Sequence, residues 1–289
     1  MTQISIETLE HLRYEQPAPG IARIVLARPQ ARNAQGLRMT YELDGAFQAA
    51  ARDPDVKVII LAGEDPHFSA GHDLTETGEG LWPLVSLWSD FDAGGTEGRY
   101  SQESEIYLDM CERWRALPKP MIAAVQGKCI GGGLMLAWVC DLILASEDAL
   151  FLDPTVAMGV MGTEYFMHPW ELGTRKAKEF LMLGDWMSAA EGHRLGMINR
   201  VVPRSTLEQA ALEMAQAIAA KPQFAVRAAK MAINHAQDQA GRAHAMRQSF
   251  AMHQLTHANN ELQNGASIMA EGTAQSVARK IAASGERGE

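Results

Sequence analysis

Residues 121–140 read MIAAVQGKCIGGGLMLAWVC, and this stretch decides the fold. It is long enough to cross a membrane, but polar residues and glycines at positions 126–128 and 131–133 interrupt it. A membrane-spanning helix needs about 20 predominantly apolar residues in one unbroken helix. The stretch is therefore predicted to form two short buried elements, a strand over 121–126 and a helix that ends near residue 140.

Strands and helices alternate around this stretch. Residues 21–27 (IARIVLA) and 56–62 (VKVIILA) are short runs typical of buried strands. Apolar residues recur at helical spacing between them: Met39, Leu43, Ala46, Phe47 and Ala50. A second helix is predicted to carry Tyr107, Met110, Cys111, Trp114 and Leu117 on one face and to stop at Pro118. With a further strand over 141–146, the pattern predicts an α/β core with largely parallel strands.

The sequence changes character after residue 204. Alanine-rich segments over 207–220, 223–237, 241–260 and 266–283 have helical patterns. We therefore predict two regions, a core over 1–204 and a C-terminal helical subdomain over 205–289. The apolar faces of these helices are expected to pack on the core or on another subunit.

Residues 75–102 fit no regular element. Five glycines are spread among apolar residues that include Trp82, Trp88 and Phe91. Long loops inside compact domains are usually functional or mobile. The segment is predicted to be either a lid over an apolar pocket or a surface insertion packed on the core.

Composition restricts the partners. The chain has 289 residues, 47% of them hydrophobic, which is enough for a substantial core, and a net charge of −9. An acidic chain lacks the basic face that nucleic acids and anionic membranes require. Three cysteines are too few for a disulfide framework, and the N-terminus has no signal-peptide pattern, so a cytoplasmic location is expected.

Two glycine-containing turns follow two separate strands. They read HFSAGHDL over 67–74 and GKCIGGGLMLA over 127–137. Glycines at such turns let the backbone approach a ligand closely with its N–H groups pointing outward. Each turn alone is weak evidence, because three glycines before a helix more often serve tight packing.

Five motifs in order make the pattern specific: IARIVLARPQARNA, HFSAGHDL, KPMIAAVQGKCIGGG, CDLILASEDALFLDPTVAMG and LGDWMSAAEGHRLGMINRVVP. Over about residues 20–205 the chain closely resembles the crotonase family of enoyl-CoA hydratases and isomerases. The resemblance implies a spiral of ββα units with a C-terminal helical region for trimerisation, in trimers or dimers of trimers. It also implies an acyl-CoA substrate, with coenzyme A as part of the substrate and no separate cofactor or metal.

The resemblance also implies a site. The backbone N–H groups of His72 and Gly132 match the pair that holds the thioester carbonyl oxygen, where preorganised donors stabilise a developing enolate. Substrate contacts are implied, by motif position, for Arg28, Ala31, Ser69, Ala70, Gly71, Gly131, Met135 and Thr155. Arg28 and Arg32 are candidates for the phosphates, or else simply solvated charges.

The chain departs from the family at the two acids. Hydratases of this family carry glutamates at the positions of Met135 and Thr155, and neither residue present here can transfer a proton near neutral pH. Glu164, on an apolar-lined turn, is the candidate replacement; alternatively, it caps a helix beginning near Tyr165. Asp153 is read as a turn residue and Asp73 as a helix cap.

Two alternatives follow for the function. The chain is expected to be an acyl-CoA enzyme that stabilises an enolate at His72 and Gly132. Its reaction is expected to be double-bond isomerisation, with Glu164 as the first acid/base candidate, or else an atypical hydration or a C–C bond reaction. The alternative is a crotonase that binds acyl-CoA without catalysis. The His72 side chain is a weaker acid/base candidate, and His168 and Glu171 are expected to serve packing. The spacing of His253 and His257 suggests a zinc protease, but Gln254 occupies the position of the required glutamate.

Overall fold

The computed structural model describes residues 6–75 and 86–269. Within these ranges it contains nine strands: β1 Leu12–Ala18, β2 Ile21–Leu26, β3 Val58–Gly63, β4 Met121–Val125, β5 Lys128–Ile130, β6 Leu142–Ser146, β7 Leu150–Leu152, β8 Met187–Ser188 and β9 Arg200–Val202. Six of them form one sheet in the order β1-β2-β3-β4-β6-β9, and β5, β7 and β8 form a second. Only the β1–β2 pair in the larger sheet is antiparallel, so the predicted buried parallel strands are confirmed.

The same ranges contain nine α-helices: α1 Leu37–Arg52, α2 Thr96–Glu103, α3 Met110–Arg115, α4 Gly132–Trp138, α5 His168–Leu183, α6 Ala189–Leu195, α7 Leu207–Ala219, α8 Gln223–Gln239 and α9 Arg242–Asn264. A π-helical turn, Ser104–Asp109, joins α2 to α3. Pairs of strands followed by a helix recur, as in β1-β2-α1 and β4-β5-α4. The mixed α/β fold class predicted from the sequence is confirmed.

The main core lies between one face of the large sheet and the helices. All five residues predicted for the inner face of α1 are buried there: Met39, Leu43, Ala46, Phe47 and Ala50. The α4 helix lies wholly inside, with every residue from Gly132 to Trp138 buried. The residues at the start of α4 are therefore held rigidly in the interior.

The C-terminal helices have different environments. Helix α7 packs Leu207, Ala211 and Ala215 against the other face of the sheet. Helix α8 has no fully buried residue. Helix α9 contacts α2 and buries residues along one face, among them Phe250, His253 and His257. Three of the four predicted C-terminal helices are thus present, and the fourth, predicted over 266–283, lies largely outside the described residues. The boundary at residue 204 stays a prediction.

One prediction needs correction. The irregular segment proposed for 75–102 ends earlier, because α2 begins at Thr96. Tertiary contacts stabilise this helix, since Arg99 pairs with Glu261 and the Tyr100 ring meets Phe250 edge-on at 5.3 Å. The apolar pattern that marks a helix in isolation is weak there, which is why the sequence alone misses it. The lid prediction falls largely on 76–85, outside the described residues.

A membrane span was another possibility raised by the sequence. No helix within the described ranges is both long and apolar enough for one.

Candidate active site

The two glycine-containing turns lie side by side at the ends of neighbouring strands. Ser69 and Cys129 form an isolated parallel bridge: the Ser69 N–H donates to Lys128 O at 3.2 Å, and the Ile130 N–H donates to Ser69 O at 3.0 Å. The buried Ser69 hydroxyl also donates to Asn33 O at 2.8 Å. Backbone bonds therefore hold the first turn on the second.

Gly71 is the point of closest approach. Its φ is +91°, and a β-carbon there would lie 2.7 Å from Ile130 O and 3.2 Å from the Gly132 nitrogen. Side chains rarely adopt this backbone conformation, and a contact of 2.7 Å with a carbonyl oxygen is not tolerated. Only glycine lets residue 72 come so close to the start of α4.

The backbone of His72 is oriented by its neighbours. The Gln35 N–H donates to Gly71 O at 2.8 Å, and the Asp73 N–H donates to Gln35 O at 2.9 Å. Because successive N–H groups of an extended chain point to opposite sides, the His72 N–H points away from Gln35. Gly132 is the first residue of α4, after Gly131 in the N-cap position, so its N–H is one of those that no helical carbonyl satisfies.

The His72 side chain also lies in the site. Its Nε2 and Cδ2 atoms would stand only 2.5 and 2.4 Å from a β-carbon on Gly132, so the ring packs directly against that glycine. The ring stacks on Tyr107 with centroids 3.7 Å apart. Nε2 is buried without a hydrogen-bond partner among the described residues. A ring nitrogen without such a partner can accept a proton from a group bound beside it.

Glu164 is buried behind His72. Its side chain is 6% exposed, and Oε1 lies 3.6 Å from His72 Nδ1 and 3.7 Å from His253 Nε2. Oε2 is buried with no hydrogen-bond partner in the described part of the chain. The alternative of a helix cap is wrong, because α5 begins at His168 with Met167 in the cap position. The geometry thus places Glu164 beside the side chain of His72.

The two positions at which the sequence resemblance implies glutamates hold Met135 and Thr155. Met135 is 1% exposed in the core. Thr155 donates through both its N–H and its hydroxyl to Asp153 Oδ1, at 2.9 and 2.5 Å. The other Asp153 oxygen lies 2.7 Å from His168 Nε2, and both side chains are fully buried. Asp153 is therefore a structural turn residue, as expected.

The residues expected to contact the nucleotide are partly engaged with the protein. Arg28 bonds Ala34 O at 3.0 Å and pairs with Asp73 at 2.9 Å. The Ala70 N–H donates to Arg32 O at 2.9 Å, and the Ala31 N–H donates to Arg28 O at 3.0 Å. Asp73 accepts hydrogen bonds from the N–H and the hydroxyl of Thr75, in addition to its pair with Arg28. The helix that it was expected to cap would lie at residues that the structure does not describe.

Arg32 stands apart from these pairs. Its side chain is exposed, and its charge contributes to lowering the pKa values of Lys128 and His67, after the larger effect of burial. Arg32 and Lys128 therefore form one positive region near His67, beside the turn at Ser69, Ala70 and Gly71. Such a region favours an anionic ligand.

Sequence reasoning missed three residues around the site. Tyr107 was assigned only to a helix face, and it stacks on His72 from a π-helical turn, a feature that is frequent at functional sites. Glu103 and His253 lie 150 residues apart, yet Oε2 and Nε2 are 3.3 Å from each other. The spacing of His253 and His257 was the only sequence signal for this cluster, and it gives no indication of the carboxylates.

Comparison with known proteins identifies the family. The family profile described as Enoyl-CoA hydratase/isomerase matches residues 16–276. The chain belongs to the enoyl-CoA hydratase/isomerase family. A Mycobacterium tuberculosis protein named as an enoyl-CoA hydratase, EchA13, is 43% identical over 260 residues, which are 86% of this chain and 81% of that protein.

Solved structures of the family agree. A crystal structure from Mycobacterium smegmatis, described as an enoyl-CoA hydratase, is 46% identical with a TM-score of 0.82 and covers 90% of this chain and 99% of its own. An enoyl-CoA hydratase/isomerase from Xanthobacter autotrophicus is 30% identical with a TM-score of 0.78, covering 96% and 99%. The crotonase fold implied by the sequence resemblance is therefore confirmed.

Proposed function

We propose that this member of the enoyl-CoA hydratase/isomerase family binds an acyl-CoA thioester and stabilises its enolate between the N–H groups of His72 and Gly132. Glu164 and the His72 imidazole act together as its acid/base, and the reaction is the migration of a double bond along the acyl chain. Coenzyme A is part of the substrate, so the proposal needs no separate cofactor and no metal.

One observation carries the proposal. The Glu164 carboxylate is buried 3.6 Å from Nδ1 of an imidazole whose Nε2 packs against Gly132. An ionised carboxylate at one ring nitrogen stabilises the imidazolium that forms when the other nitrogen takes a proton. The acid/base nitrogen therefore lies next to Gly132, one of the two proposed oxyanion donors.

The chemistry balances with this single pair. His72 Nε2 removes a proton from the carbon next to the thioester carbonyl of a 3-enoyl-CoA, and the electron pair moves onto the carbonyl oxygen as an enolate. The two N–H groups stabilise this oxygen. In other enzymes, removing one such donor raises the activation free energy by about 3 kcal/mol. The same nitrogen returns the proton two carbons further along, which gives the 2-enoyl-CoA.

Standard hydration fits the site less well. Adding water requires a second group that activates the water, and in hydratases of this family the glutamates occupy the positions of Met135 and Thr155. Met135 is packed in the core, and the Thr155 hydroxyl is bonded to Asp153. A hydration would have to use His72 and Glu164 in an atypical way.

The competing function is acyl-CoA binding without catalysis. A chain that had lost catalysis would keep the N–H pair, but it would have no use for a buried carboxylate whose Oε2 has no hydrogen-bond partner among the described residues. Burying a charged group without full pairing costs several kcal/mol. The position of Glu164 therefore favours an enzyme.

The test uses short-chain 3-enoyl-CoA and 2-enoyl-CoA substrates with four proteins. We expect the wild type to isomerise the former faster than it hydrates the latter. Glu164→Gln and His72→Gln should each lower the isomerisation rate by about 100-fold or more, since general acid–base catalysis contributes 10²–10⁴-fold. Glu171→Gln is the matched control, another carboxylate in a low-polarity setting, and should leave the rate unchanged.

The outcomes separate the alternatives. Hydration without isomerisation would favour an atypical hydratase. Tight acyl-CoA binding with no turnover of either substrate would favour the binding protein. Turnover that survives both Glu164→Gln and His72→Gln would show that the acid/base pair is wrong.

We also propose that the chain assembles with copies of itself and is located in the cytoplasm. A homotrimer or a dimer of trimers is expected, and large apolar residues of the C-terminal helices are exposed in the single chain, including Phe224, Ile233, Leu255 and Leu262. Light scattering during gel filtration measures the mass. The three cysteines are free and buried, which fits the reducing cytoplasm.

A further inference from the structure

A buried cluster of titratable groups lies directly behind Glu164. It consists of Glu103 at the end of α2 and of His253 and His257 on α9, and their ligand-type atoms all lie within 4.8 Å of one another. The side chains of His253, His257 and Glu103 are 3%, 8% and 12% exposed. The proposed reaction does not by itself require these groups, yet His253 touches Glu164.

The hydrogen bonds of the cluster fix where its protons lie. His253 Nδ1 is 2.7 Å from Gly162 O, and His257 Nδ1 is 2.7 Å from Ser267 O. A carbonyl oxygen only accepts, so each Nδ1 carries a hydrogen. The two Nε2 atoms lie 3.0 Å apart. If both rings were neutral, each Nε2 would carry a lone pair. These two lone pairs would face each other and lie close to the carboxylates, which is unfavourable.

One added proton resolves this conflict. On His253 Nε2 it can be donated to His257 Nε2 or to Glu103 Oε2, which is 3.3 Å away. His253 is the ring that contacts both carboxylates, since Glu164 Oε1 is 3.7 Å from the same nitrogen. Burial alone would lower the pKa of His253, but the bond to Glu103 and the charges of Glu164 and Glu103 raise it to about 9. The pKa of His257 is lowered, chiefly by burial.

We infer that His253 is a positioning residue, a buried imidazolium between Glu103 and Glu164 that holds the Glu164 carboxylate in place beside His72. This inference rests on the proposed function, because it assigns to His253 the positioning of a group of the proposed acid/base pair.

The other groups facing the cluster are consistent with this charge. Gln254 donates to Glu103 Oε2 and holds its orientation. Arg99 bonds both Gln254 and Glu261, so its charge is shared with a carboxylate outside the cluster. His72 Nδ1 lies 3.6 Å from Oε1 of Glu164, the same oxygen that His253 approaches. His72 and His253 are thus the two basic side chains that the ion pairs of the described residues place beside Glu164.

A divalent metal ion is the other cation that two imidazoles and a carboxylate could hold. Two nitrogens bound to one zinc ion at about 2.0–2.1 Å and tetrahedral angles lie roughly 3.3–3.4 Å apart. The observed 3.0 Å is the distance of a hydrogen bond. The geometry therefore favours a proton, and a bound metal becomes an outcome of the test.

The first experiment needs no substrate. Histidine ¹³C–¹H resonances of the 289-residue chain are followed from pH 5 to 10 by NMR, with His253 assigned by its loss in His253→Asn. We expect His253 to stay an imidazolium at neutral pH and to titrate near 9, with a midpoint about one unit lower in Glu164→Gln, which removes a neighbouring negative charge.

Several results would overturn the inference. The first is a midpoint of the His253 titration in the wild type at or below the ordinary value for histidine. The second is a His253 midpoint that is the same in the wild type and in Glu164→Gln. Stoichiometric zinc in the purified protein by elemental analysis, or zinc binding that is lost in His253→Asn, would make the cluster a metal site.

The second experiment uses the isomerase reaction. A positive charge beside a base favours its deprotonated form, so loss of that charge in His253→Asn should move the acidic limb of the kcat profile to higher pH. His257→Asn replaces a neutral ring and should leave the limb in place. A uniform loss of rate without a shift would indicate a purely structural role. If no isomerisation is found, the proposed function fails while the NMR titration still tests the charge of His253.

Discussion

A β-carbon on Gly71 would lie 3.2 Å from the amide nitrogen of Gly132, although the two residues are 61 positions apart in the chain. This closeness brings the N–H of residue 72 beside the start of α4. The two turns are otherwise joined by the Ser69 bonds to Lys128 and Ile130. The geometry that the proposed oxyanion hole needs is thus a property of backbone packing, and substitutions that alter it can be designed.

Gly71→Ala tests that packing. The added methyl group would meet Ile130 O at 2.7 Å in a backbone with φ of +91°, so we expect weakened acyl-CoA binding together with a loss of stability. Gly196→Ala is the matched control, because Gly196 has φ of +89° and no atoms within 4 Å of the new carbon. Both variants are compared by chemical denaturation and by titration calorimetry with acyl-CoA.

In Gly196→Ala the free energy of unfolding should fall only by the cost of the backbone conformation, about 1–3 kcal/mol. This variant should bind acyl-CoA normally. Equal loss of binding in both variants would mean that the approach of Gly71 to Gly132 has no special role.

Arg32→Gln tests the nucleotide contact. Arg32 is exposed beside Lys128 and His67, whereas Arg28 is paired with Asp73. We expect Arg32→Gln to weaken binding of acyl-CoA several-fold but to leave the binding of an acyl-pantetheine, which lacks the nucleotide, unchanged. Arg52→Gln, at the end of α1, is the control. If Arg32→Gln affects neither ligand, Arg32 is a solvated charge only.

Glu171 gives a pH dependence of stability. Burial raises its pKa from 4.5 to about 7, so the folded protein binds a proton that the unfolded chain has lost between these values. The free energy of unfolding contributed by this group is therefore highest below pH 4.5 and falls as the pH rises through 7. Glu171→Gln should remove this dependence.

The expected difference is measurable by denaturation at several pH values. Relative to wild type, Glu171→Gln should gain on the order of 2–3 kcal/mol between pH 5 and pH 8. Parallel pH profiles for the two proteins would contradict the raised pKa of Glu171.

Local patterns predicted much of this protein from its sequence. The inner face of α1, the buried strands and the three described C-terminal helices follow from apolar periodicity. His72, Gly132 and Glu164 could be picked out because each lies in or near an ordered motif. The absence of glutamate at Met135 and Thr155 was likewise visible in the sequence.

Long-range contacts explain what sequence reasoning missed. Helix α2 depends on α9, through Arg99 and Tyr100, and lacks a strong pattern of its own. The pairing of Glu103 with His253 joins two helices that are 150 residues apart, and nothing local specifies it. The His72 ring was underrated because its contact with Tyr107 requires a π-helical turn.

The central claim is that Glu164 and His72 form a thioester enolate at the two N–H groups. Deuterium incorporation at the carbon next to the carbonyl of a saturated acyl-CoA, followed in D₂O by mass spectrometry, tests it without knowledge of the natural substrate. We expect exchange with the wild type and with Glu171→Gln, and a loss of about 100-fold or more in Glu164→Gln and His72→Gln. Bound acyl-CoA with no exchange in the wild type, or full exchange in both site variants, would contradict the claim.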